Sequence, residues 1–259
     1  MSLPIFYALD TESKNPRNLI FEGEEAHHMI RSFRIRVGDK ILGGDGDGTL
    51  YGLTISKIGK DSVIGNIHWV KKVDQERPRI CLYQAVSESR KMEEAIRSAA
   101  ETGIASVFTF IPKRSCKDRE KILGKLERWK KIAKEASKVA RRAWALDVDF
   151  IENPLSDLAS GKEEGISFVF WEEETEKSFT NSLPEVAPFR VDIIIGPEGG
   201  FSSEEVRRFK EVGCMSVLLG DLILRTESAG SYAAMLVRHH YGLLERGDLR
   251  IWQNTHPSR

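Results

Sequence analysis

Cysteine is scarce: the 259 residues contain three, Cys81, Cys116 and Cys214. No disulfide framework, C-x-x-C redox motif or zinc-ligand spacing can be built from them, so they read as reduced, mostly buried thiols. Net charge is missing too, with 39 Lys and Arg against 39 Asp and Glu. A balanced chain with 41% hydrophobic residues is neither disordered nor collagen-like. Long apolar runs are absent. Stretches such as Val169-Phe170-Trp171 and Val217-Leu218-Leu219-Gly220 fall far short of the ~20 residues of a membrane span. The amino terminus has no basic n-region and no long apolar h-region, and the expectation is a cytoplasmic protein. Repeats, low-complexity segments and a nucleophile elbow are likewise not found, which leaves a hydrolase unsupported.

What is present divides in two. Residues 5–9, 40–42, 50–56 and 62–70 are short, β-branched or alternating segments separated by turn residues, which predicts a small β-barrel. Gly43-Gly44-Asp45-Gly46-Asp47-Gly48-Thr49 starts like a calcium loop, but Leu50 and Ser56 occupy the positions that need glycine and a bidentate glutamate. A glycine-bearing hairpin turn is the better reading, and no metal site is expected. A charged stretch, 71–78, then ends the β-rich part, and the domains are placed at 1–73 and 74–259. Beyond it, strand candidates at 79–85, 106–111, 148–151, 166–171, 191–195 and 216–219 alternate with helical patterns at 92–102, 119–143, 203–212 and 227–245. Such alternation predicts an α/β domain with a mainly parallel sheet.

The longest helical pattern has apolar residues at Ile122, Leu126, Trp129, Ala133, Ala136 and Ala140, one stripe at helical spacing. Trp129 and Trp144 read as core. Between Lys113 and Arg142 stand thirteen Lys or Arg and four Asp or Glu, a segregation of charge that suits a polyanion-binding surface or, equally, a solvated helix face. The adjacent pairs His27-His28 and His239-His240 point in different directions on a helix and read as structural or surface residues, with an RNA contact for the first pair as the alternative.

Two segments carry chemistry. Ile193-Ile194-Ile195-Gly196-Pro197-Glu198-Gly199-Gly200-Phe201-Ser202-Ser203 is a hydrophobic strand, a glycine-rich turn and a helix start capped by Ser202 or Ser203. It lacks the Gly-Lys-Ser/Thr of a phosphate loop and does not fit G-x-G-x-x-G, so a nucleotide phosphate is not the obvious ligand. Leu218-Leu219-Gly220-Asp221-Leu222-Ile223-Leu224-Arg225-Thr226-Glu227-Ser228-Ala229 is again a strand end, a loop and a helix start, with Thr226 or Ser228 as the cap. Two such loops at the carboxyl ends of parallel strands converge on one crevice.

Together, Gly196-Pro197-Glu198-Gly199-Gly200-Phe201 and Leu219-Gly220-x-x-Ile223-Leu224-Arg225-Thr226-Glu227-Ser228-Ala229 resemble the paired signature of the RsmE family, SPOUT-class methyltransferases acting on uridine N3 of 16S ribosomal RNA. His27-His28-Met29-Ile30-Arg31-Ser32-Phe33-Arg34 with Gly38-Asp39 resembles that family's amino-terminal PUA-like barrel, and Arg114-Ser115, Arg128-Trp129 and Glu135-Ala136 resemble its middle segment. The resemblance implies a trefoil-knotted SPOUT methyltransferase domain behind a PUA-like β-barrel domain. It also implies S-adenosylmethionine as cofactor, 16S rRNA of the small ribosomal subunit as partner, and a homodimer. By the same resemblance Gly196, Glu198, Gly199, Gly200, Leu219, Gly220, Ile223, Leu224 and Thr226 are cofactor-site residues, and Arg34, Arg114 and Arg142 contact RNA.

The catalytic candidates are Arg225 and Glu198. Uracil N3 carries a proton at neutral pH, and Arg225 is suited to stabilise charge spreading over the ring as that proton leaves. Glu198 orders the cofactor loop or braces its turn, while Glu198 and Glu227 are the carboxylates available as base. The chain departs from the family pattern at Ser98, where the family has lysine, and at Val139, where it has glutamine. The family's proline after the arginine pair is also missing from Ala143-Trp144-Ala145-Leu146. These departures fall on the RNA side. They keep two alternatives open: a cofactor-binding, RNA-binding paralogue with altered target or lost catalysis, and a small-molecule enzyme using the α/β crevice.

Overall fold

The computed structural model describes residues 5–8, 17–113, 115, 117–160 and 165–245. The chain forms two compact units, the first drawn from the chain up to Gln75 together with Ser137–Ala145, the second from Glu76–Ala136 and Leu146–Glu245.

In the first unit, β1 (Ile5–Tyr7), β2 (Asn18–Glu22), α1 (Gly23–Arg31), β3 (Lys40–Gly44), β4 (Thr49–Ile58) and β5 (Ser62–Lys72) follow one another. The sheet order is β1-β3-β4-β5-β2, with β1 parallel to β3 and the other pairs antiparallel. In its described pairings this sheet has β1 and β2 as edges, where the sequence suggested a small barrel. Phe6, Leu19, Phe21, Ala26, Met29, Leu53 and Val63 form the core. The β3–β4 turn is built by Asp45, whose Oδ1 accepts from the N–H groups of Asp47 and Thr49 at 2.7 and 2.9 Å, with Gly46 and Gly48 at positive φ. Gly48 also lies against the Trp144 ring, where a Cβ would approach to 2.4 Å. Trp144 is half-buried here and its indole N–H donates to Val73 O at 2.8 Å.

The second unit contains β6 (Arg79–Ala85), α2 (Ser89–Glu101), β7 (Ser106–Phe110), α3 (Arg119–Val139), β8 (Asp147–Phe150), α4 (Pro154–Ser160), β9 (Gly165–Phe170), α5 (Phe179–Ser182), β10 (Arg190–Ile195), α6 (Ser203–Glu211), β11 (Met215–Val217) and α7 (Thr226–His240). All pairs in its six-stranded sheet are parallel, in the order β11-β9-β10-β6-β7-β8. β10 shows why the sheet is buried on both faces: Val191, Ile193 and Ile195 join the core that includes α2, α3 and α7, and Ile194 joins the core that includes α4 and α6. Gly230 on α7 allows close approach to β6, since a Cβ there would meet Leu82 at 2.7 Å. Cys81 and Cys214 are buried thiols in the second core, and burial pushes Cys81 up to about 11. Cys116 lies outside the described residues.

α3 ends at Val139, four residues before the end read from the sequence. Arg141 turns to φ 58°, its N–H donates to Lys138 O at 3.1 Å and Arg142 N–H returns to Ser137 O at 3.0 Å, a left-handed closure that satisfies two of the last helical carbonyls. Trp129 is 1% exposed, as the apolar stripe predicts.

Candidate active site

The two glycine-bearing loops line one cavity of about 790 Å³ at the carboxyl ends of β9, β10 and β11. After Ile195 the chain turns through Pro197, whose carbonyl accepts from Gly200 N–H at 2.9 Å, with Gly200 at φ 68°. A Cβ at Gly196 would press on Phe201 at 3.2 Å, so this turn closes tightly against its own aromatic residue. α6 then starts on a capping box. Ser202 Oγ accepts from Glu205 N–H, and Ser202 N–H donates to the Glu205 carboxylate at 3.0 Å. The cap is thus Ser202, one of the two serines considered.

The second loop begins where Leu218 pairs with the segment beside it: Leu218 N–H donates to Lys177 O and Phe179 N–H to Leu218 O, at 2.9 and 3.0 Å. From Leu219 to Leu224 the main-chain N–H groups have no hydrogen-bond partner among the described residues. A lining with spare backbone donors and apolar side chains is suited to a ligand that is part polar ring, part hydrocarbon.

Thr226 differs from its expected role. The residue before α7 in the cap position is Arg225, with no side-chain cap bond, and Ser228 Oγ donates to Arg225 O. Thr226 Oγ1 instead donates to Gly196 O at 2.6 Å and accepts from Gln84 Nε2 at 3.0 Å. Gln84 Nε2 also reaches Ala85 O, so one buried chain of hydrogen bonds ties β6, the first loop and the start of α7 together. The threonine hydroxyl is used between loops and is therefore not available to cap its own helix.

Of the residues singled out from sequence, Gly196, Glu198, Gly200, Leu219, Gly220, Ile223, Leu224, Arg225 and Thr226 line the cavity. Gly199 is exposed and does not. Glu198 pairs with Lys91 Nζ at 3.1 Å. Burial raises its carboxyl, but backbone hydrogen bonding, the Lys91 hydrogen bond and the charges of Lys91 and Lys117 together hold it below the usual glutamate range. Arg225 is exposed at the cavity and makes no ion pair among the described residues. Arg34 and Arg142 belong to the first unit: Arg34 is exposed at φ 51°, and Arg142 Nε donates to Trp144 O at 2.9 Å. Arg114 lies outside the described residues.

Sequence reasoning missed Lys91 and the segment following β9, from which Trp171, Glu172, Glu174 and Thr175 line the cavity. The available signal was β9 itself, a strand whose carboxyl end must reach the same crevice. Three of the four paired histidines make local contacts. His27 Nε2 meets Asp61 Oδ1 at 2.7 Å, His28 packs edge-on against Phe33, and His240 Nε2 lies 3.1 Å from Pro184 O. Among the described residues there is no cluster able to hold a metal ion, and no helix is long and apolar enough to cross a membrane.

Comparison with known proteins adds to this geometry. The RNA methyltransferase domain family matches residues 75–238, and the RNA methyltransferase PUA domain family matches 21–67. Ribosomal RNA small subunit methyltransferase E of Aquifex aeolicus is 32% identical over 87% of this chain and 94% of its own length. The Bacillus subtilis protein of the same name is 30% identical over 87% of this chain and 91% of its own length. Among solved structures, Legionella pneumophila Lpg2936, determined with its cofactor SAM bound, superposes with a TM-score of 0.79 at 26% identity, covering 92% of this chain and 98% of that one. With two parallel-sheet loops meeting at one cavity and sequence identity running through both units, the chain belongs to the ribosomal RNA small subunit methyltransferase E family.

Proposed function

We propose that this protein is an S-adenosylmethionine-dependent methyltransferase that methylates N3 of a specific uridine in 16S rRNA, in the cytoplasm. The observation that carries the reading is the single cavity formed by the Gly196–Gly200 turn and the Leu219–Arg225 loop. Its residues fit the cofactor: unpaired N–H groups from Leu219 to Leu224 can meet the polar edges of an adenosine, and Ile195, Leu218 and Leu219 offer it an apolar wall. Gly196, Glu198, Gly199, Gly200, Leu219, Gly220, Ile223, Leu224 and Thr226 are proposed to hold it, Gly199 through its place in the turn. Arg34, Arg114 and Arg142 are proposed to contact RNA, Arg34 from a PUA-like amino-terminal domain of about the first 73 residues.

The bound cofactor supplies a methyl group activated by its sulfonium. The protein's share is then positioning and charge. The tie from Thr226 to Gly196 fixes the two loops at one separation, and the Lys91–Glu198 pair steadies the turn between them. Arg225 is the cation available at the cavity rim to face uracil oxygen as the N3 proton departs. A trefoil knot and a homodimer complete the proposal. In support of the knot, the strand leading into the second loop lies beside the 177–179 segment through Leu218. In support of the dimer, Leu222, Ile223, Tyr232 and Met235 are exposed apolar residues on that loop and α7.

Thr226→Val would remove the hydroxyl donor to the buried Gly196 carbonyl and leave the Gln84 amide only its 3.3 Å bond to Ala85 O, a loss of about 1–3 kcal/mol. The expected result is cofactor binding weakened about tenfold or more in calorimetry, with the fold retained. Because Glu198 is held below the ordinary glutamate range, its ion pair persists at neutral pH and is lost as acidification protonates it. On the other side, Lys91 is raised by its hydrogen bond to Glu198, so the pair is lost only above the ordinary lysine range. Cofactor affinity should therefore stay level from about pH 8 to about pH 5 and fall below the glutamate range. In the Glu198→Gln variant that acid fall should disappear. The reading as a whole is tested by offering the protein labelled S-adenosylmethionine with 30S and 50S subunits from cells lacking the endogenous enzyme. Label in 16S rRNA supports it; binding of the cofactor without any transfer to RNA would remove it.

A further inference from the structure

Three lysines gather where β6 runs into α2. Lys91 Nζ meets Glu198 Oε1 at 3.1 Å, Lys117 Nζ donates to the carbonyl of Val86, and Lys125 Nζ donates to Ser89 Oγ at 2.6 Å. All three side chains are partly buried. Only Lys91 has a carboxylate partner; Lys117 and Lys125 are each met by one neutral oxygen, which leaves protons on both ammonium groups with no acceptor among the described residues. A partly buried cation matched only by a neutral oxygen is under-compensated.

We infer that Lys91, Lys117 and Lys125 form a subsite for one RNA backbone phosphate at the rim of the cofactor cavity. This rests on the rRNA methyltransferase reading. Lys91 lines the cavity while Lys117 and Lys125 do not, so an anion held by the latter two sits beside the cavity and not in it. A phosphodiester fits there because it offers two unesterified oxygens carrying one negative charge, enough to accept from two ammonium groups at once. Burial lowers Lys117; the charges of Glu198 and Glu88 partly reverse this, and those of Lys125 and Lys91 lower it by less than the carboxylates raise it. An arriving phosphate would give this partly buried cation a direct charged partner, whereas Glu198 keeps Lys91 partly occupied until then. The subsite would fix the strand next to the reacting nucleotide and so help to set which base enters.

The test uses the full chain with Lys117→Gln/Lys125→Gln and, as a charge-keeping control, Lys117→Arg/Lys125→Arg. Dissociation constants for undermethylated 30S subunits are measured across a salt series, and S-adenosylmethionine binding is measured separately by calorimetry. The glutamine pair is expected to weaken 30S binding about tenfold and to reduce the slope of log K against log salt by about one, as for one lost phosphate contact. The arginine pair should keep the wild-type slope, and cofactor affinity should stay within about twofold in both variants. Unchanged 30S affinity and slope in the glutamine pair would overturn the assignment. So would a selective loss of cofactor affinity, which would mean that the lysines serve the cofactor's carboxylate, or a joint loss of both, which would mean a structural role. If the wild-type protein bound the cofactor but not 30S subunits, the rRNA reading itself would fail first.

Discussion

Arg225→Ala should reduce methyl transfer about 10²- to 10³-fold at saturating RNA while leaving cofactor affinity within a few-fold of wild type. Arg225 stands at the cavity but makes no ion pair among the described residues, so its removal breaks no internal bridge. Its main chain, not its side chain, starts α7, and alanine can take the same backbone angles. Under the proposed function, the side chain would act on charge that appears on uracil as N3 loses its proton, a charge the ground state lacks. Arg225→Lys should recover only part of the rate, because a single ammonium cannot reproduce the planar fork of donors. Single-turnover kinetics of the two variants separate this effect from product release. A rate unchanged by Arg225→Ala would remove Arg225 from the chemistry.

The largest expected effect on stability lies well inside the parallel sheet. Asp192 is 4% exposed and is compensated by Arg190 Nε at 2.5 Å and Ser167 Oγ at 2.9 Å. Arg190 also donates to Tyr83 Oη, and Tyr83 in turn donates to Asp157. Arg190→Leu would strand the Asp192 carboxylate and cost about 3–5 kcal/mol, enough to lower Tm by roughly 10 °C for a protein of this size. The double variant Arg190→Leu/Asp192→Leu should lose much less than the single one, since no buried charge is left behind. Burial pushes the Asp192 carboxyl up, and Arg190's charge and hydrogen bond only partly reverse it. Without Arg190 the carboxyl rises further, so the single variant's deficit should shrink as the pH is lowered and Asp192 takes up a proton. Chemical denaturation of the three proteins at two pH values measures each of these differences. A deficit below about 1 kcal/mol in Arg190→Leu would show that the network contributes little.

Where local pattern decides structure, the sequence was readable. β6 occupies residues 79–85 as read from its apolar run, and the capping box that begins α6 is visible as Ser202 and Glu205 three residues apart. The crevice follows from the parallel sheet, because the loops after β10 and β11, which flank β9, must open on the same side. Long-range pairing was not readable. α1 buries only Ala26 and Met29, too short a stripe to stand out between strands. Thr226 carries the signature of a helix cap, yet its hydroxyl serves Gly196 thirty residues away, a choice made by the packing of α7 on the sheet. Charge counting has the same limit. Lys138 belongs by number to the basic stretch, but it is 4% exposed and bonded to Glu25 at 2.5 Å, so it offers nothing to a polyanion. The segment Ser137–Ala145, which begins in the last turn of α3, likewise belongs to the first unit although α3 up to Ala136 belongs to the second.

The central claim concerns one atom of one base, and nucleoside analysis tests it most directly. 30S subunits lacking the modification are incubated with the protein and S-adenosylmethionine, the 16S rRNA is digested, and the products are separated and weighed by mass spectrometry after mapping the labelled fragment. The account predicts N3-methyluridine from a single position, abolished together with the label in the Arg225→Ala protein over the same incubation. A methyl group found on a ribose oxygen, on another ring atom, or on many uridines would contradict it.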